Sequence, residues 1–281
     1  MRVVERITDL KAIIRSQKSA GKTIGFVPTM GYLHEGHLSL INTSIHDNSF
    51  TIVSIFVNPV QFDPNEDYNN YPRDLSRDLG MAEKAGADII FTPSVSEMYP
   101  KGYNTYVNVE GITEVLCGKS RPGHFRGVTT VVSKLFNIVE PDKAYFGQKD
   151  AQQVAVIRRM ASDLNMNVEI IACPIVREKD GLAMSSRNLY LNAQERKAAV
   201  VLSKSLFEAE DLIKNGERNS SNIIKYINER ISCEKPACIE YIKIVDASDL
   251  KDAATVGKKA LIALAVRFGS TRLIDNILVE V

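Results

Sequence analysis

Short apolar runs that lack two-residue alternation constrain the fold of this chain more than any other feature. A strand with one solvated face alternates apolar and polar residues, whereas a strand buried on both faces of a parallel sheet is apolar throughout. We therefore predict buried parallel strands at five places. They are 23-TIGFVPT-29, 51-TIVSIFVN-58, 87-ADIIFTP-93, 143-KAYFG-147 and 168-VEIIACPIV-176.

Helical patterns lie between these runs. Asp74 is a candidate N-cap, apolar residues follow it at helical spacing, and Gly86 ends the pattern. Residues 124–140 carry one apolar stripe, and residues 151–164 have a further helical pattern. Strands that alternate with helices predict an α/β fold, with a parallel sheet and helices on both of its faces.

The pattern changes after about residue 176. Asn192 and Glu195 have the spacing of a capping box, and the helix that follows is expected to extend to about residue 213. Three apolar runs, 238–247, 260–268 and 273–281, then indicate further strands. We predict a boundary here, with a larger domain at 1–176 and a smaller α+β domain at 177–281.

Composition excludes several classes of protein. The chain has 35 basic and 34 acidic side chains, so no global field favours nucleic acid or an anionic membrane as partner. No apolar run approaches the ~20 residues of a membrane span, and the N-terminus lacks the pattern of a signal peptide. The four cysteines lack the spacing of a zinc site or a disulfide framework. We expect reduced thiols and a cytoplasmic location.

The stretch 28-PTMGYLHEGHLSLI-41 follows a predicted strand and should start a helix near Glu35 or Gly36. A helix N-terminus at the end of a strand suits phosphate, and His34 and His37, three residues apart, can face one bound group there. The histidine spacing differs from that of a zinc peptidase helix, which needs HExxH. Taken alone, the stretch is also compatible with surface histidines at a helix start.

Two more stretches combine glycine with charged or hydroxylated side chains. In 145-YFGQKDAQQ-153, Gly147 allows close approach to the backbone, Lys149 suits phosphate and Asp150 suits ribose hydroxyls. In 176-VREKDGLAMSSRN-188, adjacent serines precede an arginine, and Gly181 is a candidate hinge for a loop that closes over a nucleotide. A solvated turn and an ordinary interdomain linker are the alternatives.

The stretch 56-FVNPVQFDPNEDYNNYPRDLSRDL-79 places amides after a buried strand. Neutral amides such as Gln61 and Gln153 suit a small acid that carries hydroxyls. Asp74 and Asp78, four apart, either share a magnesium ion through water or are an N-cap and a solvated helix residue. The basic stretch 121-RPGHFRG-127 forms a cationic cluster at a helix start, with no assigned role for its arginine and histidine.

In combination these stretches resemble the pantothenate synthetase family, the pantoate–β-alanine ligases. The resemblance covers nearly the whole chain through PTMGYLHEGH, FVNPVQF, RPGHFRGV, YFGQKDAQQ and MSSRN, in that order. It implies the Rossmann-like, HIGH-type nucleotidyl-transferring fold, with HEGH as the HIGH-type signature. It also implies a domain that binds ATP and pantoate at 1–176, and a lid over the active site at 177–281.

The resemblance implies that the carboxylate of pantoate attacks the α-phosphorus of ATP, and that β-alanine then attacks the pantoyl adenylate. The expected partners are pantoate, β-alanine and ATP, with Mg²⁺ carried on ATP rather than in a protein metal site, in a homodimer without nucleic acid or membrane. Two alternatives remain. They are a nucleotidyltransferase with a phosphate-bearing acceptor and a nucleotide sensor without catalysis.

The resemblance also assigns residues. His37 is the expected proton donor, with His34 and Lys149 on the phosphates and Asp150 on ribose. Gln61 and Gln153 are expected to hold pantoate, and Gln61 also borders β-alanine. The expected ATP-binding set is Met30, Gly31, Tyr32, Leu33, His34, Glu35, Gly36, His37, Gly147, Gln148, Lys149, Asp150, Val176, Met184, Ser185, Ser186 and Arg187.

Overall fold

The computed structural model describes residues 1–64 and 66–281. Its contacts divide these residues into two compact units. The larger unit contains residues 1–110, 121–148 and 153–174, and the smaller unit contains residues 111–120, 149–152 and 175–281.

The larger unit contains a six-stranded parallel sheet, which confirms the predicted architecture. Its strands are β1 (Arg2–Val4), β2 (Ile24–Thr29), β3 (Phe50–Ile55), β4 (Ile89–Phe91), β5 (Lys143–Gly147) and β6 (Glu169–Cys173), in the order β1-β4-β3-β2-β5-β6. The edge strand β1 was not predicted, because it has three residues and only the last of them is buried.

Helices cover both faces of this sheet, as predicted. They are α1 (Ile7–Ser19), α2 (Glu35–Asp47), α3 (Leu75–Ala85), α4 (Val95–Met98), α6 (His124–Val139) and α7 (Ala151–Asp163), where α7 begins with two residues of the smaller unit. On one face, Val27 and Val53 pack with residues of α2 and α3. On the other face, Phe26 and Phe146 make edge contacts with Phe136 of α6.

The smaller unit is built around a three-stranded antiparallel sheet in the order β7-β8-β9. Its elements are α5 (Leu116–Ser120), α8 (Ala193–Ala198), α9 (Val201–Lys214), α10 (Ser220–Ser232), β7 (Ala237–Asp246), β8 (Lys259–Phe268) and β9 (Thr271–Glu280). Fully buried side chains of α9, α10 and β8, among them Leu206, Ile227 and Ile262, form its core.

The helix expected after residue 192 is two helices. The capping box of Asn192 and Glu195 is present and starts α8. At the break, the N–H of Leu202 donates to the carbonyl of Ala199 at 3.2 Å. This tighter i→i+3 turn interrupts the α-helical pattern between α8 and α9. None of the helices that the structure describes combines the length and the apolar character that a bilayer span requires.

Candidate functional site

The strand order creates a crevice at the carboxyl ends of β2 and β5. From β2, the chain adds β3 and β4 on one side, and it later adds β5 and β6 on the other. Ligands of open α/β sheets bind where the strand order reverses in this way. Met30 and Gly31 follow the end of β2, and Gly147 and Gln148 lie at the end of β5. Two predicted ligand-binding stretches therefore begin at this reversal.

The loop between β2 and α2 is anchored by a carboxylate of α3. Gly31 and Tyr32 have φ values of +82° and +50°, in the left-handed region that is costly for tyrosine. Asp78 accepts the backbone N–H groups of Tyr32 and Leu33, both at 2.7 Å. Burial raises the pKa of the Asp78 carboxyl despite these two donors. These two bonds hold the loop in its left-handed conformation.

His34 and His37 cap the start of α2 together, and α2 begins at Glu35 as expected. The N–H of Gly36 donates to Nδ1 of His34 at 3.1 Å, and the N–H of His34 donates to Nδ1 of His37 at 3.3 Å. Their ring centroids are 4.1 Å apart. Because both Nδ1 atoms accept from the backbone, the proton of each neutral ring lies on Nε2. Both imidazoles are therefore set up as Nε2–H donors.

Gln61 is held by a network of buried amides. Nδ2 of Asn58 donates to Oε1 of Gln61 and to the carbonyl of Gly127, both at 3.1 Å. Oδ1 of Asn58 accepts from the hydroxyl of Tyr99 at 2.7 Å and from the N–H of Val60 at 3.3 Å. A backbone donor and a backbone acceptor thus fix the orientation of the Asn58 amide, and Asn58 in turn fixes that of Gln61.

Gln61 also contacts a predicted ATP-binding residue and the basic stretch. Its side-chain Nε2 donates to Sδ of Met30 at 3.1 Å. Its backbone carbonyl oxygen lies 2.8 Å from Nδ1 of His124. A carbonyl only accepts, so Nδ1 of His124 carries a proton, and Nε2 faces Arg121 Nη1 at 3.0 Å as an acceptor. Within the larger unit, Gln61, the predicted substrate-binding residue, therefore contacts Asn58, Met30 and His124.

The predicted cationic cluster at residues 121–127 is partly neutralised. Arg121 pairs with the carboxylate of Glu66, with one Nη2–Oε2 distance of 2.6 Å. Burial raises the pKa of Glu66, but the hydrogen bond and charge of Arg121, together with the N–H of Asp63 and the nearby His124, hold that pKa below its usual value. Glu66 is thus an ionised partner for Arg121, and the stretch supports Gln61 through His124.

Gly127 allows the start of α6 to pack against the backbone of Gln61. An added Cβ would lie 2.5 Å from Cα of Gln61 and 2.5 Å from the carbonyl oxygen of Val60. Both are backbone atoms, so they cannot move aside as a flexible side chain does. We expect Gly127→Ala to lower the free energy of unfolding by about 1–3 kcal/mol and to displace Gln61.

Urea unfolding measures the first effect, and the KM for pantoate, the acid that the sequence resemblance implies, measures the second. Gly80→Ala on α3 is the matched control, because a Cβ there meets nothing within 4 Å. Alanine should stabilise that helix by up to about 1 kcal/mol. Equal stability of the Gly127→Ala variant and the native chain would contradict the assigned close packing.

The end of β5 leads into a 3-10 helix at Gln148–Asp150. A Cβ at Gly147 would meet no atom within 4 Å, so the space beside this strand end is open. Nζ of Lys149 lies 3.9 Å from Oδ2 of Asp150, and the two side chains are 20% and 48% exposed. A largely buried cation beside a half-buried carboxylate fits the predicted roles on phosphate and ribose.

The neighbouring glutamines at the start of α7 differ. Gln152 is buried and bonds the N–H of Cys117 and the carbonyls of Ile112 and Val115. Among the described residues, the side chain of Gln153 makes no hydrogen bond. Gln152 is therefore structural, whereas the ligand-binding role of Gln153 stays a prediction.

Residues 176–184 form a hairpin. An antiparallel bridge joins Arg177 to Ala183, and the N–H of Met184 donates to the carbonyl of Val176 at 3.0 Å. The two predicted ATP-binding residues Val176 and Met184 are therefore neighbours. Gly181 lies in the turn with a φ of +99°, and its N–H donates to the carbonyl of Glu178 at 2.8 Å. The hinge expected at Gly181 is thus a hydrogen-bonded turn.

The rest of the predicted serine–arginine loop follows this hairpin directly. Oγ of Ser185 accepts the N–H of Arg187 at 3.3 Å and caps a 3-10 helix at Ser186–Tyr190. Ser186 is buried and Arg187 is half-buried. This short capped helix therefore carries backbone N–H groups and the guanidinium of Arg187 on one segment.

The carboxylates proposed for magnesium have other partners. Asp74 accepts the N–H of Arg77 at 3.0 Å and caps α3, as expected. Asp78 is buried, so its expected place as a solvated helix residue was wrong. Among residues 1–64 and 66–281, no group of three or more histidine, cysteine, aspartate or glutamate side chains is placed to hold a metal ion.

Sequence reasoning missed several residues that build this site. Tyr99 and Gly127 were not singled out, and Asp78 was considered only for magnesium or solvent. No periodicity marks Tyr99, because its function depends on a contact with Asn58, 41 positions away in sequence. Asn58 itself could have been found, since a buried amide after a strand requires partners.

Comparison with known proteins gives a consistent result. The sequence model described as Pantoate-beta-alanine ligase matches residues 2–278. Pantothenate synthetase of Acetivibrio thermocellus is 69% identical over 281 residues, which is 100% of both chains. The crystal structure of pantothenate synthetase from Thermus thermophilus is similar at a TM-score of 0.94 and 44% identity, with 99% of each chain covered. A second similar crystal structure is that of pantoate-beta-alanine ligase from Francisella tularensis, complexed with beta-gamma ATP and beta-alanine. Its TM-score is 0.80 at 36% identity, and the match covers 99% of this chain and 97% of that one.

Proposed function

Because this chain belongs to the pantoate–β-alanine ligase family, we propose that it condenses (R)-pantoate with β-alanine to give pantothenate. The reaction consumes ATP and releases AMP and pyrophosphate. It proceeds through a pantoyl adenylate, as the family implies.

One observation supports this function most directly. Two Nε2–H imidazoles cap α2, immediately after the loop that follows β2 at the reversal of strand order. A helix N-terminus with two further N–H donors is suited to phosphate oxygens. Adenylation requires charge neutralisation on phosphates and alignment of the reactants more than a protein nucleophile.

In the first step, a carboxylate oxygen of pantoate forms a bond to the α-phosphorus and the bond to pyrophosphate breaks. His37 and His34 donate hydrogen bonds to the phosphates through Nε2, and the bond from His37 stabilises the negative charge that develops on the leaving pyrophosphate while the proton stays on the ring. Lys149 adds positive charge, and Gly147, Gln148 and Asp150 form the rest of its segment. Met184–Arg187 supplies hydroxyls, N–H groups and a guanidinium, and Val176 lies beside the adenine.

In the second step, the amine of β-alanine attacks the acyl carbon, loses a proton and displaces AMP. Gln61 and Gln153 hold pantoate through neutral amides, which position an acid with hydroxyls without adding a countercharge. Holding both reactants in line contributes as much as ~7–11 kcal/mol to barrier lowering. No covalent enzyme intermediate is required.

Magnesium would enter with ATP, where it would neutralise part of the charge of the triphosphate. The carboxylates of Asp74 and Asp78 already accept backbone N–H groups, so they are poorly suited to hold the ion alone. We further infer a homodimer and a cytoplasmic location, the latter consistent with four free cysteines. The lid function of residues 177–281 stays a prediction.

Exchange of labelled pyrophosphate into ATP tests the function. Exchange that requires (R)-pantoate and proceeds without β-alanine is expected. Exchange that depends on a phosphate-bearing acceptor would identify a nucleotidyltransferase instead. Binding of ATP without exchange for any acid would identify a sensor. Sedimentation equilibrium tests the dimer separately.

We expect Gln153→Ala to raise the KM for pantoate about tenfold or more while the KM for ATP changes little. The physical reason is that the amide of Gln153 is reserved for a ligand and supports no other described residue. Steady-state kinetics with each substrate varied measures the effect. Gln194→Ala, at an exposed glutamine of α8, is the control. Equal changes in both KM values would contradict the assignment.

A further inference from the structure

Two adjacent residues of β9 contact the two segments of the smaller unit that carry proposed phosphate ligands. Asp275 and Asn276 are 1% and 3% exposed. Side chains of successive strand residues point to opposite faces of a sheet. Leu273 and Val279 place the odd-numbered face of β9 in the core of the unit, so Asp275 faces that core and Asn276 faces away from it.

Asp275 holds the hairpin that leads into Met184–Arg187. Its carboxylate forms a bidentate pair with Arg177, at 2.7 and 3.0 Å. Arg177 also donates to the carbonyl of Gly181 at 3.2 Å and lies over the ring of Phe207 at 5.1 Å. Arg177 thereby links both the first strand of the hairpin and its turn at Gly181 to β9, and the bidentate geometry restricts rotation as well as distance.

Asn276 holds the other segment. Its Nδ2 donates to the backbone carbonyl of Lys149 at 2.8 Å. The bond acts on the main chain and leaves the ammonium group of Lys149 available for a ligand. Because Asn276 is buried, loss of this donor would leave the carbonyl of Lys149 without that partner, and the short 3-10 helix at Gln148–Asp150 would lose a point of attachment.

We propose that Asp275 and Asn276 are positioning residues that fix Lys149 and the Met184–Arg187 segment relative to one another for adenylate formation. This rests on the function proposed above. β9 is paired with β8 along its whole length, so the two attachment points are adjacent residues of one hydrogen-bonded strand. The spacing between the two segments is then set by the sheet rather than by either loop.

A double-mutant cycle between Asn276 and Lys149 tests the proposal. The native chain, Asn276→Ala, Lys149→Ala and the double variant are compared by kcat/KM for ATP in pantoate-dependent pyrophosphate exchange. Asn276→Ala should lose about tenfold or more, since small misplacements of a ligand group are costly. In the Lys149→Ala background the same change should have an effect within about twofold.

A purely structural role for Asn276 would give a loss of the same size in both backgrounds and would overturn the proposal. Thr271→Val is the matched control on β9. Thr271 is buried, and its hydroxyl has no hydrogen-bond partner among the described residues. Its kinetics should be unchanged.

The Asp275 side of the proposal is tested by replacing both partners, with Arg177→Met and Asp275→Leu in one variant. An apolar pair of similar volume often replaces a buried ion pair without loss of stability. We expect a similar melting temperature and about a tenfold lower kcat/KM for ATP. Native kinetics in a stable variant would remove Asp275 from the proposal.

Failure of the proposed function can be distinguished from failure of the positioning proposal. If the native chain binds ATP but shows no exchange with pantoate, the proposed function fails. The same cycle is then measured through the Kd for ATP by calorimetry, and additive effects on Kd would overturn the positioning proposal independently.

Discussion

Replacing His37 with asparagine should lower the rate of adenylate formation by about two to four orders of magnitude while α2 remains intact. The reason lies in the two nitrogens of the ring. Nδ1 of His37 accepts the N–H of His34 and caps the helix, and Nε2 carries the N–H that donates to the leaving pyrophosphate in the proposed reaction. Asparagine retains an acceptor close to the position of Nδ1 and removes the donor.

Single-turnover formation of pantoyl adenylate measures the loss, and thermal unfolding measures the helix. His37→Gln, which offers a donor near the position of Nε2, should recover part of the rate. His46→Ala is the control, because His46 is on the same helix with a side chain that is 89% exposed. Near-native adenylate formation by the asparagine variant would remove His37 from the chemistry.

Replacing Lys149 with alanine should lower kcat/KM for ATP by about two to three orders of magnitude. Its side chain is 20% exposed, so its charge is less screened than that of a surface lysine. The contact of this residue with β9 uses its carbonyl, so removal of the side chain leaves the backbone attachment in place.

The loss should appear in pyrophosphate exchange and be smaller in the reaction of preformed pantoyl adenylate with β-alanine, which no longer contains the leaving pyrophosphate. Lys179→Ala, at an exposed position of the same unit, should be close to native. A loss confined to the β-alanine step would place Lys149 elsewhere in the reaction.

Burial and capping patterns explain why much of the fold could be predicted. Continuous apolar runs marked β2 to β6 within a few residues, and Asp74, Gly86 and Asn192 marked helix ends because capping depends on neighbours in sequence. The short β1 and α5 were missed since neither is long enough to show a period. The split between α8 and α9 is caused by a local turn. The apolar residues keep their helical spacing on both sides of this turn, so their pattern does not reveal it.

The candidate site was less predictable, for a physical reason. Residues such as His34 and His37 could be selected because their chemistry and spacing are local. The residues that orient the site are distant in sequence. Asp78 acts on a loop 45 residues away, and Tyr99 acts through Asn58. The sequence indicated only that Asp78 is a carboxylate on a helix. The packing of α3 shows that this carboxylate accepts the backbone N–H groups of Tyr32 and Leu33.

The fixed amide of Gln61 has a consequence for inhibitor chemistry. Oε1 already accepts from Asn58, and one N–H of Nε2 donates to Met30. In its proposed role, Gln61 therefore offers mainly its second N–H to a small molecule. A compound that presents lone pairs there, such as a sulfone or a second carboxylate, gains a contact. One that presents a primary amine or anilide N–H meets hydrogen against hydrogen, so medicinal chemistry at this wall should favour acceptors over donors.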